Sequence, residues 1–378
     1  MKNQSKILKK YMKKALSLAK RGEGQVSPNP LVGAVVLDKN GNLAGIGWHK
    51  KYGEAHAEPN AIKNAEENGF NIEGGTIIVS LEPCSHYGKT PPCADLIIQK
   101  GFKKAVIGCV DPNPKVSGKG LNRLQKAGIE VIQNVMENEC KKINEIFIKN
   151  QTTQLPFIAI KTATTTDGKI ATKTGSSKWI TAEKSRKYVQ KLRNKYDAIL
   201  TGSRTVICDN PSLTCRMKKG RNPVRIIIDS NAITPPESKV FHNDGTKVIL
   251  AVSQNADTSK YSKHIEIVKC PINKTTGKID LNFLVKKLFE KGIYSILVEA
   301  GGTLNGAFIQ EALCDKIYQF IAPKIAGDSK AKGFVENFDI KNINECVNLI
   351  TENIRKFNPD LLIEYKVNYS RKSPLTTL

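Results

Sequence analysis

Apolar residues follow two rhythms along this chain. Near the N-terminus Ile7, Leu8, Tyr11, Met12, Ala15, Leu16 and Ala19 fall at steps of three and four, the stripe of an amphipathic helix. Continuous apolar runs at 31–37, 76–81 and 104–110 have the length and composition of buried strands. Helical spacing follows them at 57–68, 94–100 and 120–127. Gly128 supplies a helix stop ahead of a short strand at 129–132, and a helix over 137–149 closes this half. Alternation of this kind predicts a layered α/β domain.

Residues 150–155 are polar, and Pro156 ends any continuing helix, so a domain boundary is expected here. A second α/β series then begins, with strands expected at 157–163, 198–201, 224–229, 247–252 and 294–299 and helices at 182–195, 281–291 and 303–312. The tail after Lys366 reads as frayed. The expected domains are 1–150 and 156–368, and 378 residues suffice to bury two ordinary cores.

Composition narrows the class. A hydrophobic fraction of 40% with 25% charged residues is that of a globular protein. Every apolar run falls short of the about 18–20 residues a membrane span requires. The Lys-rich N-terminus lacks the apolar core and cleavage site of a signal peptide. Nine scattered cysteines, an odd number, fit a reducing, cytoplasmic location. The net charge of +24 raises the question of a polyanion. Ten of the 59 basic residues are Arg, and the Lys are spread along the whole chain. That distribution favours a solvated surface over a nucleic-acid partner, and a positive field also suits a small phosphorylated substrate.

The sharpest local signal is His56-Ala57-Glu58, followed by Pro83-Cys84 and Pro92-Cys93. One imidazole and two thiolates supply three of the four ligands zinc prefers and leave one position open, as in a catalytic site. Water in that position can lose a proton near neutral pH, and Glu58 could carry it to a leaving amine. A non-ligating Glu in H-x-E ahead of two cysteines is the arrangement of zinc deaminases. Eight residues separate the two thiols here, so a loop containing Gly88 and Pro91-Pro92 has to bring them together, with Cys93 opening the following helix. A structural alternative would use His86 as a fourth ligand; its position two residues after Cys84 suits contact with substrate better. The other seven cysteines show no metal spacing and read as apolar thiols.

Further runs surround these residues: Ser27-Pro28-Asn29-Pro30-Leu31-Val32-Gly33, Leu81-Glu82-Pro83-Cys84-Ser85-His86, and the segment from Asp111 to Gly120. In the second half come Lys161-Thr162-Ala163, Asp167-Gly168-Lys169-Ile170-Ala171, the segment from Gly175 to Thr181, and Glu299-Ala300-Gly301-Gly302-Thr303-Leu304-Asn305-Gly306. Taken in order over about residues 5–335, they closely resemble the bifunctional riboflavin-biosynthesis deaminase/reductase family. The resemblance implies an N-terminal cytidine-deaminase-like α/β/α domain and a C-terminal dihydrofolate-reductase-like α/β domain. It implies deamination of a phosphorylated diamino-ribosylamino-pyrimidinone, then NADPH reduction of its ribosyl group to ribityl. His56, Cys84 and Cys93 would hold zinc, Glu58 would transfer protons, and Asn29 would face substrate. Ala163, Trp179, Thr205, Asp209, Gly301, Gly302, Thr303, Leu304, Asn305, Gly306 and Ala307 would hold NADPH. Ser177, Arg193, Leu213, Arg216 and Glu299 would hold the reductase substrate.

Without that resemblance the second-half residues have plain readings: Gly301-Gly302 as a turn, Trp179 as a core or interface residue, Arg193 and Arg216 as surface groups or bidentate phosphate ligands. The chain departs from the family pattern at Pro59, Thr165, Thr166 and Asn210; Pro in a helix's first turn costs little. Two rival functions are a zinc deaminase acting on RNA or free nucleosides and a non-enzymatic, zinc-stabilised interaction protein. The second domain argues against the first, and Glu58 against the second. A homo-oligomer is compatible with all of these readings.

Overall fold

The computed structural model describes every residue except 1, 88–90, 114–116, 219 and 370–378, together with the side chains of 2–4. The chain divides into two compact units between Gln154 and Leu155.

The first unit runs α1 (Lys2–Ala19), β1 (Gly33–Leu37), β2 (Leu43–Trp48), α2 (Ala57–Glu67), β3 (Thr76–Leu81), α3 (Cys93–Gln99), β4 (Lys104–Cys109), α4 (Lys119–Lys126), β5 (Glu130–Ile132), α5 (Glu137–Ile143) and α6 (Glu145–Thr153). Its strands lie in the order β2-β1-β3-β4-β5. β1 is antiparallel to both neighbours, and β3, β4 and β5 are parallel. Successive side chains of a strand point to opposite faces, and here both faces are apolar. Ala34, Val36, Ile77, Val79, Ala105 and Ile107 pack with α2, α3 and α4. Val35, Leu37, Ile78 and Val106 pack with Met12, Ala15, Leu16 and Leu18 of α1 and Cys140 of α5. Burial on both faces explains why these strands read as unbroken apolar runs.

Two features differ from the sequence expectation. β2 was not anticipated, because Gly45 and Gly47 interrupt its apolar pattern. Those glycines let α2 approach: a Cβ on Gly45 would lie 2.3 Å from the Ala61 carbonyl oxygen, and one on Gly47 2.3 Å from the Ala61 nitrogen. The single helix expected over 137–149 is two, broken at Asn144, whose backbone leaves helical geometry at φ −106°, ψ 18°.

The second unit continues with β6 (Phe157–Thr165), β7 (Lys169–Ala171), α7 (Glu183–Lys195), β8 (Ala198–Gly202), α8 (Ser203–Asp209), β9 (Val224–Ile228), β10 (Val248–Ser253), β11 (Ile265–Cys270), β12 (Ile272–Asn273), β13 (Lys278–Ile279) and α9 (Leu281–Glu290). It ends with β14 (Ser295–Val298), α10 (Gly302–Gln310), β15 (Lys316–Ala322), β16 (Lys332–Gly333), β17 (Asn348–Lys356) and β18 (Leu361–Asn368). Nine strands form one sheet in the order β11-β10-β9-β8-β14-β6-β15-β18-β17. It is parallel from β11 to β15, and β18 and β17 add antiparallel to its edge. The carboxyl ends of β8, β14 and β6 are therefore neighbours, the place where open α/β sheets bind ligands.

In the nine-stranded sheet β11, β15, β17 and β18 are additional to the expected strands, as are the short strands β7, β12, β13 and β16 outside it. β17 is exposed along most of its length and carries no apolar run. β18 extends to Asn368, past the point where the tail reads as frayed. Among the described residues, no helix is long and apolar enough to cross a membrane.

Candidate active sites

In the first unit, α2 and α3 both begin at the same place. His56 caps α2, Glu58 lies in its first turn, and Cys93 is the first residue of α3. Cys84 follows β3 on the turn begun by Glu82 and Pro83. One donor atom each of His56, Cys84 and Cys93 lies within 4.8 Å of the others. His56 Nδ1 is 3.7 Å from Cys84 Sγ and 3.4 Å from Cys93 Sγ. The Cys93 backbone N–H donates to Cys84 Sγ at 3.3 Å. A hydrogen bond from the Cys93 thiol, with another from His56, lowers the Cys84 thiol to about 4. Cys93, donating to Cys84 and buried, is raised. The pair thus holds one thiolate readily, and a bound cation would take the place of the second proton.

Glu58 is only 3% exposed. Burial, with the Cys84 thiolate beside it, pushes its carboxyl up to about 7. His86 is exposed and lies outside the donor cluster. The expected loop residue Gly88 falls outside the described residues.

Asn29 lies beside these groups through His49. The Asn29 side-chain nitrogen is 3.1 Å from His49 Nε2, and His49 Nδ1 is 3.1 Å from the Ala55 carbonyl oxygen. A carbonyl can only accept, so His49 carries its proton on Nδ1 and accepts the Asn29 amide at Nε2. Burial lowers the His49 pKa and so favours this neutral form. The His49 and His56 rings meet edge to face, with centroids 5.3 Å apart.

Glu82 stands two residues before Cys84. Its carboxylate is 4% exposed and accepts the backbone N–H groups of Asp111, Gly118 and Gly120 at 3.1, 3.0 and 2.9 Å. It thereby ties the Cys84 turn to the start of α4, where an anion is favoured. Sequence reasoning gave no role to His49 or Glu82. For Glu82 the available signal was an acid closing an apolar run directly before Pro83-Cys84.

In the second unit, Glu299 follows β14 and carries a buried charged network. Arg193 donates to it through Nε at 2.8 Å and Nη2 at 3.0 Å. Lys161 Nζ stands 3.4 Å away, and Arg193 Nη1 donates to the Thr214 carbonyl at 2.9 Å. Burial would raise the Glu299 carboxyl, but the charges of Arg193 and Lys161 outweigh it and hold the group down at about 2. The Arg193 fork is thus engaged by Glu299. Lys161 was missed as a site residue, although a lone Lys within an apolar strand calls for a partner.

Several of the other expected residues follow the carboxyl ends of neighbouring strands. Ala163 lies near the end of β6, Thr205 and Asp209 on α8 directly after β8, and Leu213 is buried beyond it at φ +52°. Gly301 caps α10, and Gly302, Thr303, Leu304, Asn305, Gly306 and Ala307 lie in that helix. A Cβ on Gly301 would find nothing within 4 Å, so its backbone faces open space, whereas Gly302 and Gly306 pack against Gly333 and Glu336. Ser177 and Trp179 line a cavity of about 210 Å³ with Thr165, Lys169 and Lys324. Trp179 is 63% exposed, contrary to a core position, and the Arg186 guanidinium lies 4.6 Å from its ring. Arg216 is exposed, and its N–H donates to Gln190 Oε1 at 3.0 Å.

Comparison with known proteins agrees across both units. The family profile described as cytidine and deoxycytidylate deaminase zinc-binding region matches residues 5–109, and that described as RibD C-terminal domain matches 156–363. The riboflavin biosynthesis protein RibD of Actinobacillus pleuropneumoniae is 39% identical over 94% of both chains. That of Aquifex aeolicus is 41% identical over 95% of this chain and 98% of its own. A solved structure from Thermotoga maritima, described as a diaminohydroxyphosphoribosylaminopyrimidine deaminase/5-amino-6-(5-phosphoribosylamino)uracil reductase, superposes with a TM-score of 0.86 at 39% identity, over 97% of this chain and 100% of its own. Acinetobacter baumannii RibD gives 0.84 at 33% identity, over 96% of this chain and 99% of its own. The first unit is therefore cytidine-deaminase-like and the second dihydrofolate-reductase-like. A zinc deaminase region and a reductase domain on one chain, matched over almost its full length, place this protein in the RibD family of bifunctional riboflavin-biosynthesis deaminase/reductases.

Proposed function

We propose that the first unit removes an exocyclic amine from a phosphorylated diamino-ribosylamino-pyrimidinone and that the second reduces the product's ribosyl group to ribityl with NADPH. The observation that carries the first half is the trio His56, Cys84 and Cys93 beside buried Glu58. An imidazole and two thiols are a zinc donor set, and three donors leave one position for a reactant. When bound there, zinc supplies a Lewis acid that lets water lose a proton near neutral pH. Glu58 is placed to take that proton on a carboxylate oxygen and return it to the departing amine. A carbon–nitrogen bond then breaks, a carbon–oxygen bond forms and ammonia leaves. Asn29, held by His49, orients the pyrimidine.

For the second half, NADPH when bound supplies a hydride. Gly301 offers an unobstructed helix N-terminus for a cofactor phosphate, and Ala163, Trp179, Thr205 and Asp209 complete the cofactor assignment. Arg193 and Lys161 hold the Glu299 carboxylate at the end of β14, where it can accept hydrogen bonds from ribosyl hydroxyls. Arg216 and Ser177 remain for the substrate phosphate. We place the enzyme in the cytoplasm, consistent with nine cysteines scattered along the chain, a reading compatible with a homo-oligomer. The family match over both units leaves the RNA-deaminase and structural-zinc readings without support.

The test is NADPH oxidation by zinc-loaded protein given the diamino substrate. Oxidation that stops in Glu58→Ala and returns on adding deaminated substrate supports two sites in series. Absence of oxidation with either substrate, in folded zinc-bound protein, would overturn the substrate assignment.

A further inference from the structure

The break between α5 and α6 has a consequence in the deaminase site. Asn144 is 2% exposed, and its side chain grips one residue from both sides. Its Oδ1 accepts the Leu31 N–H at 2.8 Å, and its Nδ2 donates to the Leu31 carbonyl at 3.0 Å. This is the bonding a neighbouring strand would provide. β1 begins only at Gly33, so the amide group supplies the pairing where the sheet does not. The next residues are fixed as firmly. Val32 accepts the His49 N–H at 3.0 Å, and Gly33 donates to Ser80 Oγ at 3.1 Å. Two residues before Leu31 stands Asn29, bonded to His49, whose ring meets His56. A continuous set of contacts thus leads from Asn144 to the metal-ligating histidine.

We infer that Asn144 is a positioning residue for deamination: it clamps the segment from Asn29 to Leu31 so that Asn29 meets the pyrimidine in one orientation. The inference rests on the reading that Asn29 faces substrate. Asn144 lies outside residues 5–109, the part matched to the deaminase profile, and its partner is 113 positions away. The clamp explains why α5 and α6 are not one helix: the non-helical backbone at Asn144 turns the amide toward Leu31.

Removing the clamp in Asn144→Ala should lower deaminase kcat/KM about 10- to 100-fold, because misplacing a positioning group by about 1 Å can cost about 100-fold. Bound zinc and the reductase rate in the same sample should stay unchanged. The decisive readout is a cycle with Asn29→Ala. If Asn144 acts through Asn29, the double variant should be within about threefold of Asn29→Ala alone, since coupled sites are not additive. Losses that multiply would assign Asn144 to general stability and overturn the proposal, as would an unchanged kcat/KM in Asn144→Ala. Should Asn29→Ala itself leave deamination intact, the substrate-facing reading fails and this inference with it. Should Asn144→Ala lose its zinc, the near-isosteric Asn144→Asp replaces it, keeping the acceptor for the Leu31 N–H and losing the donor to its carbonyl. Full deaminase activity in zinc-bound Asn144→Asp would overturn the clamp, and at least tenfold loss would support it.

Discussion

Glu299→Gln removes one charge from a buried cluster of three. The side chain is 10% exposed, and its partners Arg193 and Lys161 are 13% and 18% exposed, so solvent screens the pairing weakly. The carboxyl is held at about 2 against an ordinary 4.5. At about 1.4 kcal/mol per tenfold step in the proton equilibrium, that preference amounts to about 3 kcal/mol of folded-state stabilisation at neutral pH. The folded pKa is depressed, so the stabilisation is complete above about pH 4.5 and falls away as pH drops toward 2. At pH 3 about 1 kcal/mol should remain. The variant lacks the ionisable group and should lack this pH dependence. Breaking a buried pair also strands the opposite charge, so the loss at pH 7 should reach about 3–5 kcal/mol. Hydrogen exchange of peptides covering β14 and β6 reads the second unit, and peptides covering β1 and β3 serve as an internal control. Protection in β14 should fall sharply at pH 7, with a smaller difference from the parent at pH 3 and none in β1. A loss below about 0.5 kcal/mol at pH 7, within the range of an ordinary surface substitution, would refute the reasoning. So would equal losses at the two pH values.

Three further outcomes follow from the same geometry. Cys84→Ser should lose bound zinc and deamination while reduction of supplied deaminated substrate stays near normal; prolonged chelation of the parent protein should do the same. Gly120→Ala should destabilise the first unit by about 1–3 kcal/mol and weaken deamination, because the new Cβ would sit 2.1 Å from the Pro83 carbonyl oxygen, beside the Cys84 turn; thermal unfolding of the zinc-bound protein measures it. Asp360→Ala should cost the second unit about 1–3 kcal/mol and leave the first unchanged, since buried Asp360 accepts the Ala182 N–H at 2.8 Å and the Ser185 hydroxyl at the start of α7; exchange of α7 peptides would show the loss.

Much of this protein is legible residue by residue. The run 76–81 is β3 because a strand buried on both faces is filled mostly by apolar side chains, with buried Ser80 satisfied by the Gly33 N–H, and that demand is written locally. His56, Glu58, Cys84 and Cys93 stand out because metal chemistry restricts residue type and spacing, and helix starts place such groups at short range. Tertiary structure decided what local pattern does not encode. Gly45 and Gly47 look like strand breakers until α2 lies against them. The segment 137–149 has helical periodicity throughout, yet Asn144 leaves the helix to bond Leu31. From sequence Arg193 reads as a surface group or a phosphate ligand; the packing of α7 sets it against Glu299, 106 positions away, and the carboxylate takes its fork. β17 is a strand only because β18 offers an unpaired edge. Local pattern specifies what a segment must bury. Which partner meets a polar group depends on strand order, and that is settled only when the sheets assemble.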